Sequence, residues 1–173
     1  MNTQVKQVSK RLDIGCGMNK IPGAVCLDID PKVNPDILHN LNNFPYPIPD
    51  NSFNEIYAKH VVEHLNDPAG FMREMNRILK AGGTVFIETP HFSSRVAYSE
   101  PQHKLFFSYF MFNSIINGLD LEVIKQRITF YKSFRMVGIS YLANKFPDNY
   151  ERFWTYIFPA ENVTLLARKK GKS

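Results

Sequence analysis

Chemistry in this 173-residue chain is first visible in RLDIGCGMN, residues 11–19, where Asp13, Gly15 and Gly17 follow a short apolar run. Two glycines directly after a strand leave no side chain between a backbone loop and a ligand, and ligands of parallel sheets bind beyond the carboxyl ends of the strands. Asp13 inside this loop would repel a pyrophosphate, and the third glycine of a dinucleotide fingerprint is here Lys20. The loop therefore suits a ligand with a positively charged end better than a nicotinamide dinucleotide. A second acid, Asp28, lies in the next apolar run, AVCLDI (24–29), where a carboxylate can accept from a ribose diol.

Histidines supply the remaining reactive groups, since an imidazole near neutral pKa suits a general base. His60, His91 and His103 each fall where an apolar run ends or a helix is about to begin, so all three are expected at the carboxyl edge of a sheet. His64 is read as structural and His39 as surface. His60-Val61-Val62-Glu63-His64 also spells H-x-x-E-H, a zinc-peptidase pattern. That pattern needs both histidines on one helix face, whereas His60 emerges straight from a strand-like run, so no metal is assigned.

The elements that must position these groups alternate. Strands are predicted over Val8 to Ile14, Ala24 to Ile29, Asp36 to Leu38 and Phe53 to Lys59, with proline-rich FPYPIPDNS as loop. Asp67-Pro68 starts a helix with an acceptor followed by proline; Phe71, Met75, Ile78 and Leu79 recur at helical spacing and Gly82-Gly83 is expected to end it. The run TVFIE is the next strand. Ser108 is expected to cap a helix ending at Gly118, and strands follow over 121–131 and 162–169. Strands alternating with helices predict a mostly parallel α/β sheet. Only nine residues, 15–23, separate the first two strands, too few for a helical crossover. Helix cover near the N-terminus is thus reduced, and an uncovered apolar face there suggests a homodimer.

Asp-x-Gly-x-Gly after a first strand resembles motif I of the class I S-adenosylmethionine-dependent methyltransferases. The likeness continues in order through LDID (27–30), FPYPIPDNSFNEIYAKHVVEHL (44–65), FMREMNRILKAGG (71–83) and TVFIETP (84–90). It implies a Rossmann-like sheet of order 3-2-1-4-5-7-6 with the last strand antiparallel. It also implies S-adenosylmethionine as cofactor, S-adenosylhomocysteine as product, and transfer of a methyl group to an acceptor; a small molecule or glycan is expected because no basic patch with regular aromatic spacing appears. Carried over residue by residue, Asp13 faces the methionine end and Gly15, Cys16 and Gly17 form the loop beneath it. Asp28 takes the ribose hydroxyls, Ile29 packs on the adenine beside Asn40 and Leu41, and Lys59 and His60 lie near the transferred methyl. Asn19 replaces the third motif glycine and Ala81 a usual proline. The same fold without catalysis, as a binding module, is the alternative.

The resemblance covers about residues 10–90; the domain is expected to run to 167, with a basic tail over 168–173. After residue 92 the chain holds 12 basic against 6 acidic residues and 16 of its 23 aromatics. The segment HFSSRVAYSEPQH (91–103) is too irregular for an element and is expected to wall an acceptor site through Arg95, Tyr98 and His103, with Arg135 from beyond and residues 132–161 as the far wall. Four of the 12 basic residues lie in the tail, leaving too little charge for nucleic-acid binding. No run approaches the ~20 apolar residues of a membrane span. Two cysteines, Cys16 and Cys26, are expected as reduced thiols in a cytoplasmic protein.

Overall fold

Polar and apolar residues alternate along the strands, and the alternation gives the sheet two unlike faces. The structure, a computed structural model, describes residues 10–135 and 138–171. Its strands are β1 (Arg11–Ile14), β2 (Val25–Asp28), β3 (Ile37–Leu38), β4 (Phe53–Lys59), β5 (Leu79–Pro90), β6 (Leu121–Ile128) and β7 (Asn162–Lys169). They form one sheet in the order β3-β2-β1-β4-β5-β7-β6, with β7 antiparallel to both neighbours and the other pairings parallel. This is the topology the resemblance implies. Val8 and Ser9, expected in the first strand, lie outside the described residues.

Residues in register share a face. Leu12 and Ile14 of β1 align with Ile56 and Ala58 of β4, and these with Val85 and Ile87 of β5; all are 1% exposed or less. They share a core with Phe71, Met75 and Ile78 of α1 (Pro68–Ile78), with Phe112, and with Tyr46 and Ile48 of the proline-rich loop. Burial of each such large side chain contributes about 1.5–3 kcal/mol over exposure. The opposite face carries Arg11, Glu55, Tyr57, Thr84 and Phe86, partly exposed, with Lys59 at its edge. Tyr57 donates to the Glu55 carboxylate at 2.7 Å, and the Lys59 ammonium lies 5.9 Å from the Phe86 ring centre. The face expected to be apolar and uncovered therefore carries charged, polar and aromatic side chains, partly exposed.

Helix cover is indeed reduced at the N-terminal edge. Residues 15–24 join β1 to β2 without a helix, and β2 leads to β3 through a single 3-10 turn, Pro31–Val33, capped by Asp30. Backbone groups of the crossover are satisfied by strand side chains instead: Asp13 accepts from Ile21 N–H at 2.8 Å, and Arg11 donates to the Pro22 carbonyl at 2.9 Å. The loop folds Cys16 onto β2, where it is paired with Cys26 as a disulfide with the Cα atoms 5.7 Å apart. Two separate thiols, as expected from the sequence, are thereby corrected.

Three further boundaries differ from expectation. Helix α1 begins as predicted, with the Asp67 carboxylate accepting from Gly70 N–H at 2.7 Å, but ends at Ile78 rather than at Gly82-Gly83. Leu79 is buried and pairs with Phe53, so its place in the sheet outweighs continuation of the helix. The segment 91–103 contains α2 (Arg95–Ser99), whose first turn Ser94 caps. Helix α3 (Met111–Ile116) starts without a side-chain cap; Ser108 contributes its carbonyl, not its hydroxyl. Beyond β6, α4 (Lys132–Arg135), α5 (Ile139–Lys145) and a π-helical turn at Tyr150–Trp154 pack on a second cluster around Phe130, Ala143 and Tyr150. No described helix is long and apolar enough to cross a membrane.

One buried ionic group ties α1 to the proline-rich loop. Glu74 accepts from Arg77 Nε and Nη2 at 2.8 and 2.7 Å and from Tyr46 N–H at 2.7 Å. Arg77 also donates to the Ile48 carbonyl and Asp50, while the Tyr46 hydroxyl donates to the Leu41 carbonyl at 2.9 Å. Burial opposes ionisation of Glu74, but Arg77 and the Tyr46 amide outweigh it and hold the carboxyl below its usual 4.5. A depressed carboxylate pKa adds stability above the unfolded value, lost as pH falls through the folded one. Glu74→Gln is therefore expected to cost about 1.5–3 kcal/mol at pH 7, with the difference from wild type shrinking below pH 4.5; urea unfolding across that range measures both.

Candidate functional site

Strand ends and loops enclose a cavity of about 510 Å³ at the carboxyl edge of β1, β2 and β4, within the usual range for small-ligand sites. Gly15, Asp28, Ile29, Asn40, Leu41 and His60 line it, so six of the ten residues expected around the cofactor come together. Gly15 has φ +62°, and a Cβ there would stand 2.4 Å from Val61 Cγ2, another lining atom. Gly17, at φ +50°, has open space around it and is needed only for its backbone angle. Its N–H donates to Asp28 Oδ2 at 2.9 Å, and Asp30 N–H donates to Oδ1 at 2.9 Å. A carboxylate has about four lone-pair sites, so Asp28 retains capacity to accept from a ligand.

The other expected cofactor residues stand behind this wall. Asp13 is buried and holds Ile21 N–H; burial pushes its carboxyl pKa up, partly offset by the Ile21 amide and Lys59. Cys16 is buried in its pair with Cys26. Lys59 turns to the opposite face of the sheet, toward Phe86. None of these three, nor Gly17, lines the cavity.

The histidines separate clearly. His60 sits at φ +53° where β4 ends, facing the cavity with its side chain 44% exposed. Its Nδ1 lies 3.4 Å from Glu63 Oε1, an ion-pair distance rather than a well-formed hydrogen bond. Glu63 raises its pKa above the usual 6.5, against the opposing effect of partial burial and with help from Glu88. His91 is fully buried: one ring nitrogen meets Glu151 Oε1 at 3.0 Å and the other Ser93 Oγ at 2.8 Å. His91 does not line the cavity. His103 lies just behind the cavity, its Nδ1 3.0 Å from the Ala97 carbonyl.

Toward the acceptor side, Arg95 is exposed, and Tyr98 is exposed with its ring stacked on Phe106 at 4.7 Å; neither lines the cavity. The side chain of Arg135 lies outside those described. Residues 139–158 enclose a separate apolar cavity of about 260 Å³ through Leu142, Phe146, Trp154 and Phe158, sharing no lining residue with the first. They are not its far wall. Sequence reasoning missed Asn42, Val61, His64, Leu65, Gln102 and Lys104 as lining residues. His64 and Leu65 stood inside the E-H-L segment, but nothing in the residues around Gln102 marked it; the Lys104 and Leu105 amides donate to the Glu63 carbonyl, and that places it.

A glycine turn and an acid at the ends of the first two strands, on a sheet of this order, define the class I S-adenosylmethionine-dependent methyltransferase fold. Residues 12–87 match the methyltransferase-domain family. The chain is 34% identical over 89 residues to ajmaline N-methyltransferase of Rauvolfia serpentina, a match covering 46% of this chain and 30% of that enzyme. Its fold resembles a SAM-dependent methyltransferase from Archaeoglobus fulgidus, with TM-score 0.69, 17% identity, and 94% and 87% of the two chains covered. A second such enzyme, from Mesorhizobium loti, has TM-score 0.66, 14% identity and coverages of 92% and 90%. The family match and the fold likeness support S-adenosylmethionine as the cofactor. The cavity fits a nucleoside: an acid with spare acceptor sites stands beside Ile29, an apolar side chain 60% exposed.

The two glycines predict different costs. Gly17→Ala is expected to lose about 1–2 kcal/mol from the left-handed backbone alone. Gly15→Ala adds the collision with Val61 and is expected to show the larger fall in denaturation midpoint of the two, measured by urea unfolding.

Proposed function

We propose that this chain transfers a methyl group from S-adenosylmethionine to a small-molecule or glycan acceptor. The observation that carries the reading is the convergence of Gly15, Asp28, Ile29, Asn40, Leu41 and His60 on one cavity. The cofactor supplies a methyl group activated on a sulfonium. In this reading Asp28 accepts from the ribose hydroxyls, Ile29 and Leu41 flank the adenine, and Asn40 meets its edge. Asp13 acts through the loop it pins, keeping Gly15, Cys16 and Gly17 beneath the methionine end. His60 faces the space where acceptor and methyl meet and orients the acceptor; positioning of this kind is the main lever on an in-line displacement. Arg95 and Tyr98, exposed on α2, contact the distal part of the acceptor, and the methyltransferase activity named for the plant relative supports a small molecule there.

Calorimetric titration with S-adenosylhomocysteine tests the cofactor half. Wild type is expected to bind one equivalent at micromolar affinity. Asp28→Ala is expected to weaken binding about 10–100-fold, the loss of charge-assisted hydrogen bonds worth about 1.5–3 kcal/mol. Absence of binding by the folded wild type would overturn the proposal.

A further inference from the structure

Behind the cavity wall, the buried Glu63 Oε1 accepts no hydrogen bond and stands 3.4 Å from His60 Nδ1 and 4.0 Å from His103 Nε2. Glu63 is 1% exposed, and its Oε2 accepts from Thr89 Oγ1 at 2.9 Å. The His64 and His103 rings are 4.7 Å apart. One ligand atom from each of Glu63, His64 and His103 falls within 4.8 Å of the others.

The ring tautomers follow from the partners. His103 Nδ1 faces the Ala97 carbonyl at 3.0 Å, and His64 Nδ1 faces the Gln102 carbonyl at 3.2 Å. A carbonyl only accepts, so each Nδ1 carries the proton and each neutral ring keeps its lone pair on Nε2. Leaving a buried acceptor unmatched costs about 1–3 kcal/mol, more when it is charged. A cation shared with the imidazoles removes that cost.

We propose that Glu63, His64 and His103 bind a divalent transition-metal ion, zinc matching the donor set best. Two histidines and one carboxylate are the ligands of zinc sites that keep a fourth position open. The Thr89 hydroxyl on Glu63 and the carbonyls on both Nδ1 atoms are the outer partners that orient such ligands. Bonds of about 2.0–2.2 Å require the three atoms, which lie within 4.8 Å of one another, to draw closer on binding. His64 lines the cavity together with Gln102 and Lys104, so the open position faces it and takes an oxygen or nitrogen of a bound molecule. The inference stands on these side chains whether or not methyl transfer is the reaction.

Metal-stripped full-length protein is titrated with zinc in competition with a chromogenic chelator, and with cobalt for its visible absorption. One ion per chain at micromolar affinity or tighter is expected, with the intense bands of a four-coordinate cobalt site. Glu63→Gln, His64→Ala and His103→Ala should each weaken binding at least tenfold, while His39→Ala leaves it unchanged. Circular dichroism checks folding; if Glu63→Gln does not fold, the half-buried His64 decides. No ion bound by wild type, binding that survives loss of His64 and His103, or binding lost in Cys16→Ser instead would overturn the proposal. The first outcome would leave His60, 3.4 Å from Glu63 Oε1, as the partner of that carboxylate.

Discussion

Ten residues must carry the chain from the end of β1 to the start of the parallel strand β2, and the site depends on how they do it. A helix would satisfy its own backbone; a loop of this length cannot. Two strand carboxylates take over. Asp13 holds the returning limb at Ile21, and Asp28 holds the outgoing limb at Gly17. Between those anchors Gly15 lies against Val61 in a conformation reserved for glycine. The acids that look at first like ligand contacts are thus also the scaffold of the loop, and Asp28 keeps acceptor sites free while it serves there.

The second support comes from the covered face. Tyr46 uses its amide on Glu74 of α1 and its hydroxyl on the carbonyl of Leu41, so the helix sets the position of the loop that walls the cavity. Burial, reinforced by the charges of Glu74 and Asp67, pushes the Tyr46 phenol pKa upward and keeps it a donor. A proline-rich segment with no regular structure is held as firmly as an element would be, because Arg77 also takes the carbonyls of Tyr46 and Ile48.

Much of this was legible in the sequence, for local reasons. Alternation in FNEIYAK and TVFIE marked β4 and β5, Asp67-Pro68 marked the start of α1, and the Gly15–Gly17 turn marked the cavity. The strand order came from the resemblance, since no local pattern encodes which strands are neighbours. Local signals misled where tertiary contacts competed with them: Gly82-Gly83 reads as a helix end, yet Leu79 had already left for the sheet. His91 and His103 read alike, as histidines at the edges of elements. Only the packing of Glu151 and Ser93 against one ring, and of Glu63 beside the other, tells them apart. Gln102 and Lys104 reach the cavity through contacts almost forty residues distant, which no periodicity announces.

The polar face of the sheet sets a different kind of freedom. Its strands keep every ladder hydrogen bond whatever side chains they display, because those bonds run within the plane of the sheet. Substitution at Glu55, Tyr57, Thr84 or Phe86 therefore leaves the hydrogen-bonded frame in place, provided the neighbouring positions stay apolar. In many parallel sheets that surface is locked beneath helices and cannot drift. Here those four positions are released from that duty, so descendants of this chain can rewrite them while Arg11 and Asp13, on the same face, keep the crossover loop and the cavity in place.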